Sequence, residues 1–399
     1  MKSPYIKRLH LSNFLSFGPE SEAVELGALN VLIGANGSGK SNFIEAIALL
    51  NQMPGDAARL IREGGGMEEW IWKGEGRREV AKIEAVVGVA LGDTSQQAMR
   101  HVVELEVETS KNPRMYFRSE VIEDEQAEGE AGAPHFYFKS APGAPPTVNL
   151  RDGGGQRSLI RENVSQNQSI LSQIRDAFSY KEITWLSDFY ESIQIYKDWS
   201  LGKNSLGRQL QRADLPPDRM LADASNLSLF LNHLRSNSAA KKKIIECLKA
   251  FYEGVEDFGV TVHSNTVQLY FEEGSYNTPS TRLSDGTMRF LFLAAILVDP
   301  TPPPVICIEE PELGLHPDSI VLLARLLVEA SERTQLIVTT HSDVLVDALS
   351  ATPEAILVCE RYEEGTHIER LKIDSLGEFL KRYSLGNMWR SGHIGGNRW

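Results

Sequence analysis

Leu283-Ser284-Asp285-Gly286-Thr287 is the stretch on which the fold of this chain turns. By itself it is only a helix start: a serine able to cap the first turn, then N–H groups that favour an anion. About 20 residues further on, the apolar run Val305-Ile306-Cys307-Ile308 ends in the acid pair Glu309-Glu310. Gly314-Leu315-His316-Pro317-Asp318 follows, and then a second apolar run, Leu336 to Thr339, leads to His341. About 240 residues upstream of Leu283 stands Gly34-Ala35-Asn36-Gly37-Ser38-Gly39-Lys40-Ser41. It lies between the apolar run Leu29 to Ile33 and a helical period of Phe43, Ile44, Ala46, Ile47, Leu49 and Leu50. Each segment alone has a bland reading as a cap, a solvated acidic loop, a Gly/Pro turn or a satisfied histidine. Their order and spacing carry the argument.

The hydrophobic period changes several times around these motifs. Residues 4 to 12, Ala23 to Leu26 and Leu29 to Ile33 read as three strands before the glycine loop. From about 68 to 150 the runs Ala81 to Leu91, Val102 to Glu108, Met115 to Ile122 and His135 to Phe138 predict an antiparallel sheet. Glu123 to Pro134 and Ala141 to Pro146 read as mobile loops within it. Helical periods return from about 174 to 255, and a hairpin, Val260 to Val262 with Val267 to Phe271, leads into the stretch at 283. Strand 305 to 308, helix Ser319 to Ser331, strand Gln335 to Thr339, helix Asp343 to Leu349 and strand Ala355 to Glu360 then alternate, which predicts a parallel sheet with helical crossovers. The expected organisation is an α/β core lobe of residues 1–173 and 300–399, with an inserted helical lobe of 174–299 carrying the hairpin and the stretch at 283.

With 399 residues, 42% hydrophobic and 24% charged, the chain can build two lobes with real cores. A net charge of −13 argues against coating nucleic acid through global charge. The one compact basic candidate, Lys241-Lys242-Lys243 with Arg235, reads as a solvated helix face. No apolar run approaches membrane-spanning length and the N-terminus leads directly into a strand, so the expectation is a soluble, cytoplasmic protein with no membrane partner. Cys247, Cys307 and Cys359 stand at unrelated spacings and are expected to be buried thiols, not disulfides or a zinc site.

In Gly34 to Ser41 the glycines let backbone N–H groups turn inward around phosphates at a helix start. Lys40 then reaches the β- and γ-phosphate oxygens and Ser41 ligates Mg²⁺. Val305 to Ile308 would deliver Glu309 and Glu310 at the carboxyl end of a buried strand, where open α/β sheets place ligands. The chain here resembles the ABC-type ATPases, in which the signature at 283–287 of one subunit closes over the nucleotide held by the P-loop of the other. The opening Leu9 to Phe17, the glycine loop through Asn42, the signature and Glu309 to Pro317 narrow this to the RecF/SMC-related branch. Within it they look like prokaryotic RecF-like AAA-family ATPases akin to the ATPase half of OLD-family nucleases.

The resemblance implies an ABC-type P-loop ATPase head, with a mixed-sheet lobe and an inserted helical lobe, that uses ATP and Mg²⁺. Its nucleotide-binding positions are Gly34, Asn36, Gly37, Ser38, Gly39, Lys40, Ser41 and Asn42, joined by Ser284 and Gly286 from a second copy. Ser41 and Glu309 are the Mg²⁺ positions, Glu309 one methylene longer than the more usual Asp and so acting through a water. Glu310 is the general base, His341 the γ-phosphate switch, Lys40 the phosphate clamp, and Glu312 a structural carboxylate. Gln168 and Gln173 are two candidates for the glutamine that senses Mg²⁺.

The wide separation of Lys40 and Leu283 disfavours transport ATPases. No heptad run supports a coiled coil between Gln173 and Leu283, and about 58 residues after His341 are too few for a Toprim nuclease. The expectation is a stand-alone head that forms an ATP-dependent homodimer in DNA maintenance or anti-phage defence. Its partner would be double-stranded DNA or a separately encoded nuclease or effector. The competing expectation is a regulatory ATP-binding module that gates an effector without DNA contact. Trp389 and Trp399 are expected to pack the tail against a lobe.

Overall fold

The computed structural model describes residues 5–88, 98–107, 115–127, 132–150, 155–159, 164–197, 202–252, 254–372 and 382–396. Leu91, Glu108, part of the 123–134 loop and Trp399, all named above, lie outside them. The chain forms two compact units, Met1–Ile193 with Leu357–Leu371 and Ile394–Trp399, and Gln194–Ile356 with Lys372–His393. In the first unit, Asn51 Nδ2 donates to the carbonyls of Tyr190 (2.8 Å) and Ile193 (3.0 Å), which ties the helix at 181–192 to the helix after the glycine loop.

The first unit opens with β1 (Ile6–Ser12), β2 (Val24–Glu25) and β3 (Leu29–Ile33), followed by α1 (Lys40–Gln52), α2 (Ala57–Glu63) and α3 (Met67–Trp70). Strands β4 (Val80–Val87), β5 (Met99–Val107), β6 (Met115–Asp124), β7 (Phe136–Ser140), β8 (Thr147–Leu150) and β9 (Gly155–Ser158) come next. They extend β2-β1 into an antiparallel sheet ordered β2-β1-β4-β5-β6-β7-β8-β9, as the alternating runs predict. Helices α4 (Ile170–Gln173) and α5 (Lys181–Ser192) follow. All five residues of β3 are buried, and α1 buries Phe43, Ile44, Ile47 and Leu50 completely. Each such side chain contributes about 1.5–3 kcal/mol, so the glycine loop is held between two firmly packed elements.

The second unit runs β10 (Gln194–Tyr196), β11 (Gln211–Arg212), α6 (Leu227–Arg235), α7 (Ser238–Phe251), β12 (Asp257–His263), β13 (Thr266–Glu273) and β14 (Tyr276–Pro279). It continues through α8 (Asp285–Val298), β15 (Val305–Glu309), α9 (Pro317–Ser331), β16 (Gln335–Thr339) and α10 (Asp343–Ala348). Strands β10, β15 and β16 are parallel neighbours, the predicted helical-crossover arrangement. β10 stands in the stretch where helical periods return, and three residues are too short to show a period. α8 is buried along almost its whole length, and it starts at the signature.

In the first unit β17 (Ile356–Tyr362, but for its first residue) and β18 (Gly365–Arg370) form an antiparallel pair, with β17 beside β3. In the second, α11 (Leu385–Arg390) packs on α10, where Asp347 Oδ1 accepts from the Gly386 N–H (2.7 Å). Trp389 of α11 is buried as expected. All three cysteines are buried free thiols, and burial pushes Cys247 up to about 11 and Cys359 up to about 12. Among the described residues no helix is long and apolar enough to cross a membrane.

Candidate functional site

In the first unit, the glycine loop leaves β3 and enters α1 through Gly34 (φ 154°), Gly37 (φ 76°) and Gly39 (φ 104°). A Cβ on Gly34 would stand 2.3 Å from the Cys359 carbonyl oxygen, and one on Gly39 would stand 2.3 Å from Thr366 Oγ1. A Cβ on Gly37 would meet nothing within 4 Å, so there the glycine is needed for its backbone conformation alone. No side chain caps the α1 N-terminus and no acid lies in its first turn, so its N–H groups remain available to an anion. Among the described residues Ser38 Oγ is buried without a hydrogen-bond partner. Lys40 is 5% exposed, its Nζ donating to the carbonyls of Gly34 (2.8 Å) and Ala35 (3.0 Å). Asn36 and Ser41 are exposed at the loop and Asn42 is half-buried.

Thr366 Oγ1 of β18 bridges Ser16 Oγ (2.8 Å) and the Ser38 carbonyl (3.0 Å), which braces the loop from behind. It stands 328 residues from Ser38, and no local pattern marks it. The two glutamines differ. The Gln173 amide is spent on its own turn, accepting from Ser165 N–H (2.7 Å) and donating to the carbonyls of Ser165 (3.0 Å) and Gln168 (2.9 Å). Gln168 is exposed. Below that turn, Glu120 accepts from Ser169 Oγ (2.5 Å) and Ile170 N–H (2.9 Å), while His101 lies between Glu120 (3.1 Å) and the Tyr190 hydroxyl (3.1 Å).

The second unit gathers the other motifs. β15 ends at Glu309, and Glu310 adopts a left-handed backbone (φ 44°) that costs about 1–3 kcal/mol in a residue with a Cβ. Its N–H donates to the Thr339 carbonyl (3.0 Å), and Arg289 of α8 donates to its carbonyl (3.3 Å). The turn aims the carboxylate at the next strand end, where Glu310 Oε1 lies 3.4 Å from His341 Nε2, both side chains about one-third exposed. Glu312 is 8% exposed, and its Oε1 accepts from Thr340 Oγ1 (2.6 Å) and the His341 N–H (2.9 Å). Burial pushes its carboxyl above the usual range against those bonds, and the Glu310 charge adds to the rise. Arg289 is pulled down by burial and held up by Glu312 and Glu310.

Ser284 caps α8, its Oγ accepting from the Thr287 N–H (3.0 Å). Gly286 has no room for a side chain, since a Cβ would stand 2.9 Å from the Gly314 carbonyl oxygen. Signature and following loop are therefore in backbone contact within one copy. Pro317 occupies the first turn of α9, with Leu313, His316 and Asp318 exposed.

The chemistry of the loop in the first unit fits a nucleotide phosphate: it offers backbone N–H groups, a lysine and, among the described residues, an orphaned buried hydroxyl. In the second unit Glu309 and Thr339 are register partners at the ends of β15 and β16, and the Glu310 and His341 side chains meet just beyond them. Among the described residues no three His, Cys, Asp or Glu side chains are grouped to hold a metal unaided. Mg²⁺, which takes most of its ligands from phosphate and water, needs no such group.

Fold and motifs together define a P-loop AAA domain with the fold of an SMC head. The chain belongs to the family described as "AAA domain, putative AbiEii toxin, Type IV TA system", which it matches over residues 29–347. It is similar to an SmcHead solved bound to the C-winged helix domain of ScpA (TM-score 0.55, 15% identity, 93% of this chain and 99% of that one). It is also similar to a Pyrococcus furiosus Smc head with an extended coiled coil, bound to the C-terminal domain of ScpA (0.55, 15%, 95% and 99%). A Smc head with a coiled coil and joint from Pyrococcus yayanosii matches at 0.50 and 12%, over 95% and 99%. No curated protein matches the sequence.

Proposed function

We propose that this protein is a Mg-ATP-dependent switch that hydrolyses ATP and pairs head to tail with a second copy of itself. The observation that carries the proposal is the Glu310–His341 pair at the ends of β15 and β16, with Glu310 held on a left-handed backbone. Bound Mg-ATP supplies the phosphoanhydride to be cleaved and the charge that polarises it. Lys40 and the N–H groups of the glycine loop bind and orient the phosphates, with Asn36, Ser38 and Asn42 beside them. Ser41 and Glu309 hold the cation. Glu310 accepts the proton of the attacking water at a carboxylate oxygen, and His341 keeps that carboxylate oriented and stands ready to contact the γ-phosphate. Ser284 and Gly286 present a helix N-terminus to the other copy's nucleotide. Of the two glutamines, Gln168 is the better Mg²⁺ sensor, because the Gln173 amide is fully engaged.

For the output, a separately encoded effector is favoured over duplex DNA. The family description names a toxin of a toxin–antitoxin system, and two of the similar SMC heads were solved bound to a partner protein. The one compact basic segment is also neutralised. Lys241 and Arg235 meet Asp257 (2.6 and 3.4 Å), Lys243 meets Glu329 (2.7 Å), and Lys242 lies 3.9 Å from Glu246. This supports the reading in which the switch gates a partner protein without coating DNA. Phosphate release by wild type and Glu310→Gln, each with and without duplex DNA, tests both parts. Turnover that is abolished by Glu310→Gln and indifferent to DNA is expected, and equal turnover in the two proteins would overturn the assignment.

A further inference from the structure

The signature carries an acid where an anion is to sit. Asp285 is the first residue of α8, and a carboxylate in a first turn is drawn toward the helix N-terminus. There it would compete with a phosphate for the N–H groups of Asp285 and Gly286, neither of which has a protein partner among the described residues. Instead Arg208 takes the carboxylate, one guanidinium nitrogen pairing with Asp285 Oδ1 and the other donating to the Leu283 carbonyl. The Arg208 side chain is 3% exposed and that of Asp285 71% exposed, so the cation stands behind the motif and the acid at its face.

Arg208 is itself fixed. Ser280 Oγ donates to its carbonyl (2.7 Å). The buried Gln211 amide knits the surrounding loop, donating to the carbonyls of Leu206 (3.2 Å) and Ala224 (3.3 Å) and accepting from the Ser228 N–H (2.7 Å). Leu206 and Leu210, half exposed, flank it with apolar surface.

We propose that Arg208 is a positioning residue for the anion site of the signature. It draws the Asp285 carboxylate off the helix N-terminus and cancels its charge, which leaves Ser284 and the two N–H groups to the phosphate held by a second copy. The inference rests on the head-to-tail pairing proposed above and adds what makes an acidic signature able to accept a phosphate.

The test measures, by sedimentation equilibrium with Mg-ATP, the dimer dissociation constant of full-length protein carrying Glu310→Gln. Arg208→Met is expected to weaken the dimer roughly ten-fold, the effect of one uncompensated charge near a helix N-terminus. Binding of a fluorescent ATP analogue to the P-loop of the monomer should stay within about two-fold, since repulsion acts only on the second copy's phosphate. Adding Asp285→Asn should restore the dimer to within about three-fold, and the Arg208→Met defect should shrink between about 50 and 300 mM salt, because screening weakens the repulsion. Arg208→Lys, which keeps the charge, should lie close to the parent and guards against a Met variant that fails to fold.

An Arg208→Met dimer as tight as the parent, or a defect that neither Asp285→Asn nor salt relieves, would overturn this inference alone. So would an Arg208→Lys protein that melts like the parent and dimerises poorly. A parent protein that stays monomeric overturns the pairing and the role of Arg208 with it.

Discussion

Glu312 gives a prediction whose size follows from its surroundings. Its Oε1 accepts two hydrogen bonds, from the Thr340 hydroxyl and the His341 N–H, and among the described residues its Oε2 has no partner. Glu312→Ala removes both bonds and leaves a void, which should cost about 3–5 kcal/mol at 1–3 kcal/mol per orphaned group plus the cavity. Glu312→Gln keeps an acceptor at Oε1 and cannot ionise, so it should stay within about 1 kcal/mol of wild type. At about 2–4 °C per kcal/mol for a unit of this size, the alanine variant should melt roughly 6–20 °C lower and the glutamine variant nearly unchanged.

The pH dependence has a definite sign. Burial raises the folded-state pKa of Glu312, so the native state keeps a proton that the unfolded chain has already lost. The stability from that proton is complete below the ordinary carboxylate value and is lost as pH rises through the folded value. Glutamine loses nothing over that interval, so the melting temperature of Glu312→Gln should climb relative to wild type across it. Differential scanning calorimetry from acid to mildly alkaline pH reads both effects. Equal destabilisation by glutamine and alanine, or a gap that narrows with rising pH, would refute the reasoning.

Lys40→Ala removes a charge-assisted donor and should weaken binding of a fluorescent ATP analogue roughly 10- to 100-fold, with an unchanged circular dichroism spectrum. Gly34→Ala places a Cβ 2.3 Å from a backbone oxygen and should abolish nucleotide binding by distorting the loop, read in the same titration. In the antiparallel sheet, burial alone would raise the Glu84 carboxyl, but hydrogen bonds from Arg100 and Lys82 bring it down to about 2. Glu84→Gln should therefore cost at most about 3 kcal/mol at neutral pH. That contribution is present above the ordinary carboxylate value and lost as pH falls toward about 2, so the calorimetric gap from wild type should close on acidification.

Some elements were legible residue by residue. β3 and β16 coincide with Leu29 to Ile33 and Gln335 to Thr339, because a continuous buried apolar run leaves little freedom in register. Local helix chemistry was legible too, with Ser284 as a cap and Pro317 in a first turn. Glu312 shows as the buried, hydrogen-bonded carboxylate that a structural role implies. What escaped is nonlocal. Arg208 meets Asp285 across 77 positions and Thr366 meets Ser38 across 328, and neither leaves a period or a spacing. The engagement of the Gln173 amide by Ser165 and Gln168 leaves no signal in the sequence either. The lysine run read as solvated, yet its neutralisation depends on Asp257 and Glu329, brought in from other elements.

The central claim is that nucleotide pairs two copies and that Glu310 releases them. Glu310→Gln keeps an oxygen for His341 and leaves the backbone contacts from Thr339 and Arg289 intact, so the head should fold as before. Its mass in solution, measured by light scattering with saturating Mg-ATP, is the most direct test. Twice the monomer mass with Mg-ATP and the monomer mass without it are expected. A Glu310→Gln protein that binds Mg-ATP and remains at the monomer mass would contradict the claim.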